Sequence, residues 1–206
     1  MESLWLARVA FPLLVIVFLG VVFVWPVARL WRETGVLAVT LHRNTTPGHR
    51  FIGLAFLAIL LALGFLIARF AIQGPDAVGV WASPPGVALA GLLLCVAGSV
   101  FISIAQRQMG ASFRIGIDDA RTELVSQGLF RRVRNPIYSG MLALLLGITL
   151  VIPCAESLLL ASVAAAAIAF HTRLEERHLL ALHGDAYRAY AARVGRFVPG
   201  FGRLRE

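Results

Sequence analysis

The chain has 206 residues, 59% of them hydrophobic, and its mean hydropathy is +0.81. Soluble domains average roughly half apolar residues, so the excess here requires an apolar solvent, which the bilayer supplies. The formal net charge is +8, and all 19 basic residues are Arg; placed almost entirely in loops beside hydrophobic runs, they point to topology and anionic headgroups and away from nucleic acid.

Five apolar segments follow one another along the chain. The first spans residues 9–30, with Trp5 before it and Trp25 and Trp31 near its other end, as in an interfacial aromatic belt. It is too long for the apolar region of a cleaved signal peptide, and Trp25-Pro26 is a poor cleavage site. The second spans residues 51–72, with Arg69 near one end, where its long stem can snorkel. The third spans residues 86–105 and contains Cys95. Each of these three has the ~20 residues needed to cross the hydrocarbon core.

The fourth and fifth segments form one apolar stretch, residues 137–170, too long for a single span and interrupted by Pro153 and Glu156. Proline removes a backbone donor and cannot continue a helix cleanly. A tight helical hairpin is therefore predicted, with residues 138–152 as one short arm and 157–171 as the other. The second arm is expected to continue as a helix beyond the membrane through Glu175 to His183. Cys154 lies in the turn; neither cysteine has Cys-x-x-Cys spacing, so no redox motif or zinc ribbon is supported.

Loop charge gives an orientation. Residues 29–50 carry Arg29, Arg32, Arg43 and Arg50, residues 106–136 carry six arginines, and the tail from 171 carries seven. The connections at 73–85 and 153–157 carry none. The positive-inside rule then places the N-terminus outside and the C-terminus in the cytoplasm, as in a bacterial inner membrane. The expected fold is all-α: a polytopic membrane helical bundle of about five transmembrane helices, with a C-terminal hairpin and a cytoplasmic helical tail. Residues 1–105 supply three N-terminal helices, and residues 106–206 the functional core, within one compact unit.

The unusual polar residues gather after residue 105 in two blocks. Residues 128–140 read Gly-Leu-Phe-Arg-Arg-Val-Arg-Asn-Pro-Ile-Tyr-Ser-Gly. Asn135 at an N-cap and Pro136 at the first helical position make a strong helix start, whose free N–H groups suit a carboxylate or phosphate. Arg134 adds a planar fork for a carboxylate. The second block holds Glu175, Glu176 and Leu179, then Gly184, Tyr187 and Tyr190, then Arg196 and Pro199. The hairpin brings the start of its first arm beside the end of its second, so the two blocks should meet at one membrane surface.

Together the blocks resemble the isoprenylcysteine carboxyl methyltransferases and their relatives, the phospholipid methyltransferases. That family's pattern is Gly-x-(Tyr/Phe)-Arg-x-x-Arg-His-Pro-x-Tyr-x-Gly, a helical hairpin, then Glu-Glu-x-x-Leu, Gly-x-x-Tyr-x-x-Tyr, and an Arg and a Pro near the end. The match holds at Gly128, Phe130, Arg131, Arg134, Pro136, Tyr138, Gly140, Glu175, Glu176, Leu179, Gly184, Tyr187, Tyr190, Arg196 and Pro199, across roughly residues 106–200. Asn135 departs from it, standing where the family usually has His. Asn hydrogen-bonds but exchanges no proton near neutral pH, which puts any imidazole role at this position in doubt.

The resemblance implies S-adenosylmethionine as methyl donor and a lipid or lipidated small molecule as acceptor. The sequence has no Gly-x-Gly-x-x-Gly loop after a strand, which excludes a Rossmann-type methyltransferase. On the resemblance, Arg134, Asn135, Pro136, Tyr138, Gly140, Glu175, Glu176, Leu179, Tyr187 and Tyr190 are the candidate cofactor-binding residues, with Glu176 and Tyr138 as candidate catalytic groups. Each has a plainer reading. Arg134 and Asn135 also suit interfacial anchoring and capping. Tyr138 contacts sulfonium or ribose, or is a core tyrosine. Glu175 and Glu176 diverge by about 100° on a helix, so one should face the pocket while the other pairs with Arg173 or Arg177 or faces water. Tyr187 and Tyr190 close over adenine or pack the tail on the membrane.

Arg131 and Arg132 read as headgroup contacts. His178 and His183 have no second ligand at metal spacing, so no metal is expected. Residues 112–118 are a lid over the cofactor or a surface connector. His42, Arg43, Asn44 and His49 lie in the connection between the first two spans. The expected activity is methylation of a lipid-like acceptor, with an isoprenylcysteine-type carboxylate favoured, a phospholipid amine as alternative, and a non-catalytic scaffold as the rival from another class. A transporter is disfavoured, because the spans are nearly free of charge apart from Arg69.

Overall fold

The computed structural model describes residues 2–34, 47–82, 84–110 and 124–204. The segment 112–118 and residues 42–44 lie outside them. The described residues form helices α1 (Glu2–Leu19), α2 (Trp25–Thr34), α3 (Pro47–Gln73), α4 (Pro85–Met109), α5 (Pro136–Val151), α6 (Ala155–His183) and α7 (Asp185–Arg193), with no named strand among them. The fold is an all-α helical bundle, and the chain is an integral membrane protein. Four stretches are long and apolar enough to cross a bilayer: Arg8–Arg29, Gly53–Gln73, Gly86–Met109 and Ala155–His183. Leu61, Phe65, Leu93, Leu159 and Phe170 point outward from them, an arrangement that only lipid stabilises.

Two expectations are refined. The helix that carries the first span extends beyond residues 9–30 at both ends, because a π-helical turn at Gly20–Val24 joins α1 to α2. Such a turn loosens the backbone bonding of its residues. Gln106 of α4 uses this, donating from Nε2 to the Val22 carbonyl at 2.9 Å in a buried contact. The hairpin arms are unequal. The α5 arm has 16 residues, about 24 Å at 1.5 Å per residue and less than the ~30 Å hydrocarbon core. The α6 arm runs unbroken for 29 residues, crossing the core and continuing past it to His183.

The tightest packing joins α4 to α5 along a glycine seam. Gly91, Cys95, Gly98 and Ile102 on α4 meet Gly140, Leu144, Gly147 and Val151 on α5, both with 4-3-4 spacing that keeps one helical face. A Cβ on Gly91 would lie 2.7 Å from the Gly147 carbonyl oxygen, and one on Gly98 2.8 Å from that of Gly140. The reciprocal distances are 2.8 and 2.9 Å. Antiparallel backbones therefore touch at two glycine pairs seven residues apart, the small-residue contact that membrane helices use where no hydrophobic effect drives them together.

At the end of the bundle that holds the hairpin turn, polar groups tie the elements. Arg8 donates to the Ala71 and Ile72 carbonyls at the end of α3. Arg69 pairs with Glu156 at 3.0 Å and donates to the Ala77 carbonyl, and the Trp81 N–H reaches the Pro153 carbonyl at 2.7 Å. The Arg69–Glu156 pair is about a third exposed, so it contributes at most about 1 kcal/mol. The turn itself is held by Ser157, whose hydroxyl donates to the Ile152 and Cys154 carbonyls and accepts from the Cys154 N–H. Ser157→Ala is expected to cost about 1–2 kcal/mol, the value of a lost helix cap. Thermal unfolding in detergent checks this, with the exposed Ser162→Ala expected to change nothing.

Candidate active site at the start of α5 and the end of α6

The reversal at Pro153 places the start of α5 beside the end of α6, as the blocks predicted. The chain after α7 completes the site. Residues 133–135 run alongside 195–196: the Arg134 N–H donates to the Gly195 carbonyl at 2.8 Å and the Asn135 N–H to the Arg196 carbonyl at 3.1 Å. Ser139, one turn into α5, donates its hydroxyl to the Phe197 carbonyl at 2.7 Å.

Glu176 is the centre. Its side chain is 6% exposed and lies between two guanidinium groups. Arg134 donates to Oε1 from Nε and Nη2 at 3.1 and 2.8 Å; Arg196 donates to Oε2 from Nε and Nη2 at 3.0 and 2.7 Å. Asn135 adds its amide at 3.3 Å. A buried carboxylate is tolerable only when paired and hydrogen-bonded in this way.

The geometry sets what Arg134 is free to do. Its remaining N–H groups reach the carbonyls of Ala191, Val194 and Gly202, so all five donors are committed within the chain. Its side chain is 1% exposed. Arg134 thus staples α5, α6 and the tail together, and offers no open fork to a ligand carboxylate. Asn135 stands at the N-cap position of α5 but makes no side-chain cap; its amide turns instead to Glu176 and the Arg196 carbonyl. Pro136 takes the first helical position, as expected.

The two glutamates have different partners. Glu175, half-buried, accepts from the Tyr138 hydroxyl at 3.0 Å. The Tyr138 ring stands edge-on to His171 at 5.9 Å, and His171 edge-on to Phe56 of α3 at 5.8 Å. Leu179, Tyr187 and Tyr190 gather in a separate apolar cluster with Ala191, Val194 and Leu204. Tyr187 is 2% exposed, and the Tyr190 hydroxyl donates to the Phe130 carbonyl at 2.6 Å. These tyrosines seat the tail. Gly140 lies away from the ionic network, against Gly98 and Ile102.

Burial pushes the Tyr190 phenol up to about 12 and raises that of Tyr187 further. A raised phenol favours the folded protein below the ordinary value near 10, and that stability is lost as pH rises through about 12. The tail is expected to become sensitive to protease between those values. Tyr190→Phe should weaken that pH dependence, leaving the part due to Tyr187, and cost about 1–3 kcal/mol at neutral pH through the unpartnered Phe130 carbonyl.

Residues that the motifs did not single out complete the picture. Arg196 appeared there as a family match only, yet it carries half of the Glu176 clamp, and its Nη1 has no hydrogen-bond partner among the described residues. The Nε2 atoms of His178 and His183 are buried without a partner among the described residues. They stand three residues beyond Glu175 and seven beyond Glu176, on the faces those glutamates occupy. No group of three or more His, Cys, Asp or Glu side chains suited to a metal occurs among the described residues.

The described residues thus form a polytopic helical bundle with a buried polar network at the end where the start of α5 meets the end of α6. The model of the phospholipid methyltransferase family matches residues 87–186, from the start of α4 into α7. Among solved structures, the eukaryotic intramembrane Ras methyltransferase ICMT (isoprenylcysteine carboxyl methyltransferase) shares the fold, with a TM-score of 0.50 and 20% identity over 79% of this chain. The match spans 56% of that longer chain. No curated protein matches.

Proposed function

We propose that the chain is a membrane methyltransferase that takes its methyl group from S-adenosylmethionine and acts on a lipid-like or amphipathic acceptor. One observation carries the reading: the stretch matching the phospholipid methyltransferase family folds so that Arg134, Asn135, Tyr138, Glu175 and Glu176 converge at one end of the bundle, where Arg196 of the following tail joins them. The proposed orientation puts that end at the cytoplasmic face of a bacterial inner membrane, because the arginine-rich connections share it.

The side chains present fit the donor. Arg196, with Nη1 available, suits the methionine carboxylate. The half-buried Glu175 suits ribose hydroxyls or the positive sulfur. The unpartnered His178 and His183 nitrogens suit polar edges of the purine. Arg134, Asn135 and Glu176 hold these groups in place, Pro136 and Gly140 set the position of α5, and Leu179, Tyr187 and Tyr190 fix the tail. The cofactor supplies a methyl group already activated on a sulfonium. The chain's own work is then to align the acceptor and exclude water, and such positioning is the larger part of an in-line displacement.

The favoured acceptor is an isoprenylcysteine-type carboxylate, which arrives as a nucleophile and needs no base. A phospholipid amine is the second reading, favoured by the matched family and by Glu175, which stands where a carboxylate can take the proton an amine must lose. Purified protein supplied with methyl-labelled cofactor and native lipid extract decides between them. Alkali-labile label marks an ester and supports the first reading. Alkali-stable label in phospholipid supports the second. Absence of any label transfer contradicts the activity itself.

A further inference from the structure

The most exposed apolar group beyond the spanning helices lies in a tight turn of the tail. The Phe201 N–H donates to the Val198 carbonyl at 3.1 Å, and Gly200 has φ +81°, the conformation a Pro-Gly turn requires at its third residue. The Arg196 N–H locks the turn from behind by reaching the Phe201 carbonyl at 2.7 Å. This rigid loop presents Val198 at 54% and Phe201 at 75% exposure. A soluble protein gains nothing by holding two large apolar side chains outward on a fixed turn.

Two observations identify what covers them. Phe197, the residue before the turn, packs against the cluster of Leu145, Ala164 and Ile168, well inside α5 and α6. The turn therefore springs from the membrane-embedded part of the bundle. Residues 133–135 lie alongside 195–196, which brings exposed Arg131 and Arg132 to the same end as the turn, and exposed Arg203 follows two residues after Phe201. An apolar tip ringed by cations matches an anionic lipid surface in both chemistry and charge.

We propose that the Val198–Phe201 turn is an interfacial anchor, dipping its apolar tip into the bilayer surface at the site end of the bundle while Arg131, Arg132 and Arg203 bind anionic headgroups. The ladder between 133–135 and 195–196 then sets the depth of the Glu176 network relative to the lipid. This does not depend on the methyltransferase reading.

A nitroxide at Phe201→Cys tests it, since Cys95 and Cys154 are buried and escape labelling. The protein is placed in nanodiscs of phosphatidylcholine with or without phosphatidylglycerol. The label is expected to collide with oxygen in preference to a water-soluble nickel complex when the anionic lipid is present. Neutralising Arg131 and Arg132 to Gln should shift it back toward water by about fivefold per arginine. Nickel access in both kinds of disc, identical behaviour with and without anionic lipid, or shielding from both reagents by protein would each overturn the proposal.

Discussion

Gly140→Val is expected to leave little folded protein. Even alanine places a Cβ 2.5 Å from Ile102 Cγ1 and 2.9 Å from the Gly98 carbonyl oxygen. The isoleucine can change rotamer; the carbonyl cannot, because the second glycine pair, Gly91–Gly147, holds the same two helices at the same separation. Overpacking a tight interior costs roughly 1–3 kcal/mol for a methylene that neighbours can accommodate. Here valine forces α4 from α5, and the loss should exceed about 3 kcal/mol, a large part of a typical protein's stability. Gly140→Ala should fall between, and Ile102→Ala should rescue it only in part. Size-exclusion profiles and thermal unfolding in detergent read the series. Gly64→Ala is the control, since nothing lies within 4 Å of its would-be Cβ. Unchanged melting of Gly140→Val would mean that the seam is not formed as described.

Glu176→Ala is the second large effect. It leaves Arg134, 1% exposed, as a buried charge with no counterion, and breaking one partner of such a pair costs about 3–5 kcal/mol. The loss should appear locally first. Arg134 and Arg196 both depend on Glu176, and through Arg134 the carbonyls of Ala191, Val194 and Gly202 lose their anchor. Trypsin should then cut after Arg193, Arg196 or Arg203 under conditions that leave the parent protein intact. Glu176→Gln keeps the shape and acceptor oxygen and should lie between. Replacing Arg134, Glu176 and Arg196 together by apolar residues of similar volume should recover much of the stability, because a desolvated ion cluster is often no better than packed hydrocarbon.

Much of this fold is legible in the sequence because helices and membranes impose local rules. Twenty-residue apolar runs, arginines between alternate spans and Pro153 inside an overlong run are enough to give the bundle and its hairpin. The meeting of the Arg134–Asn135 and Glu175–Glu176 blocks follows from that hairpin alone. What is not legible depends on partners far apart in the chain. Glu176 and Arg196 are 20 residues apart across a helix end and a turn, a separation with no period to read. Arg134 looked like an open fork because nothing local shows that carbonyls 57 to 68 residues away consume its donors. Gly140, in the motif, looked like part of the cofactor site; its heptad with Gly147, mirrored by Gly91 and Gly98, was present in the sequence and pointed to packing.

The most direct test of the central claim is calorimetry of the purified protein in nanodiscs with S-adenosylhomocysteine, repeated for Glu175→Gln and for Arg196→Gln. One-to-one binding by the parent protein, weakened at least about tenfold (about 1.4 kcal/mol) in each variant while both still unfold cooperatively, is the predicted result. Absence of binding by the parent protein, or the same affinity in all three, would contradict it.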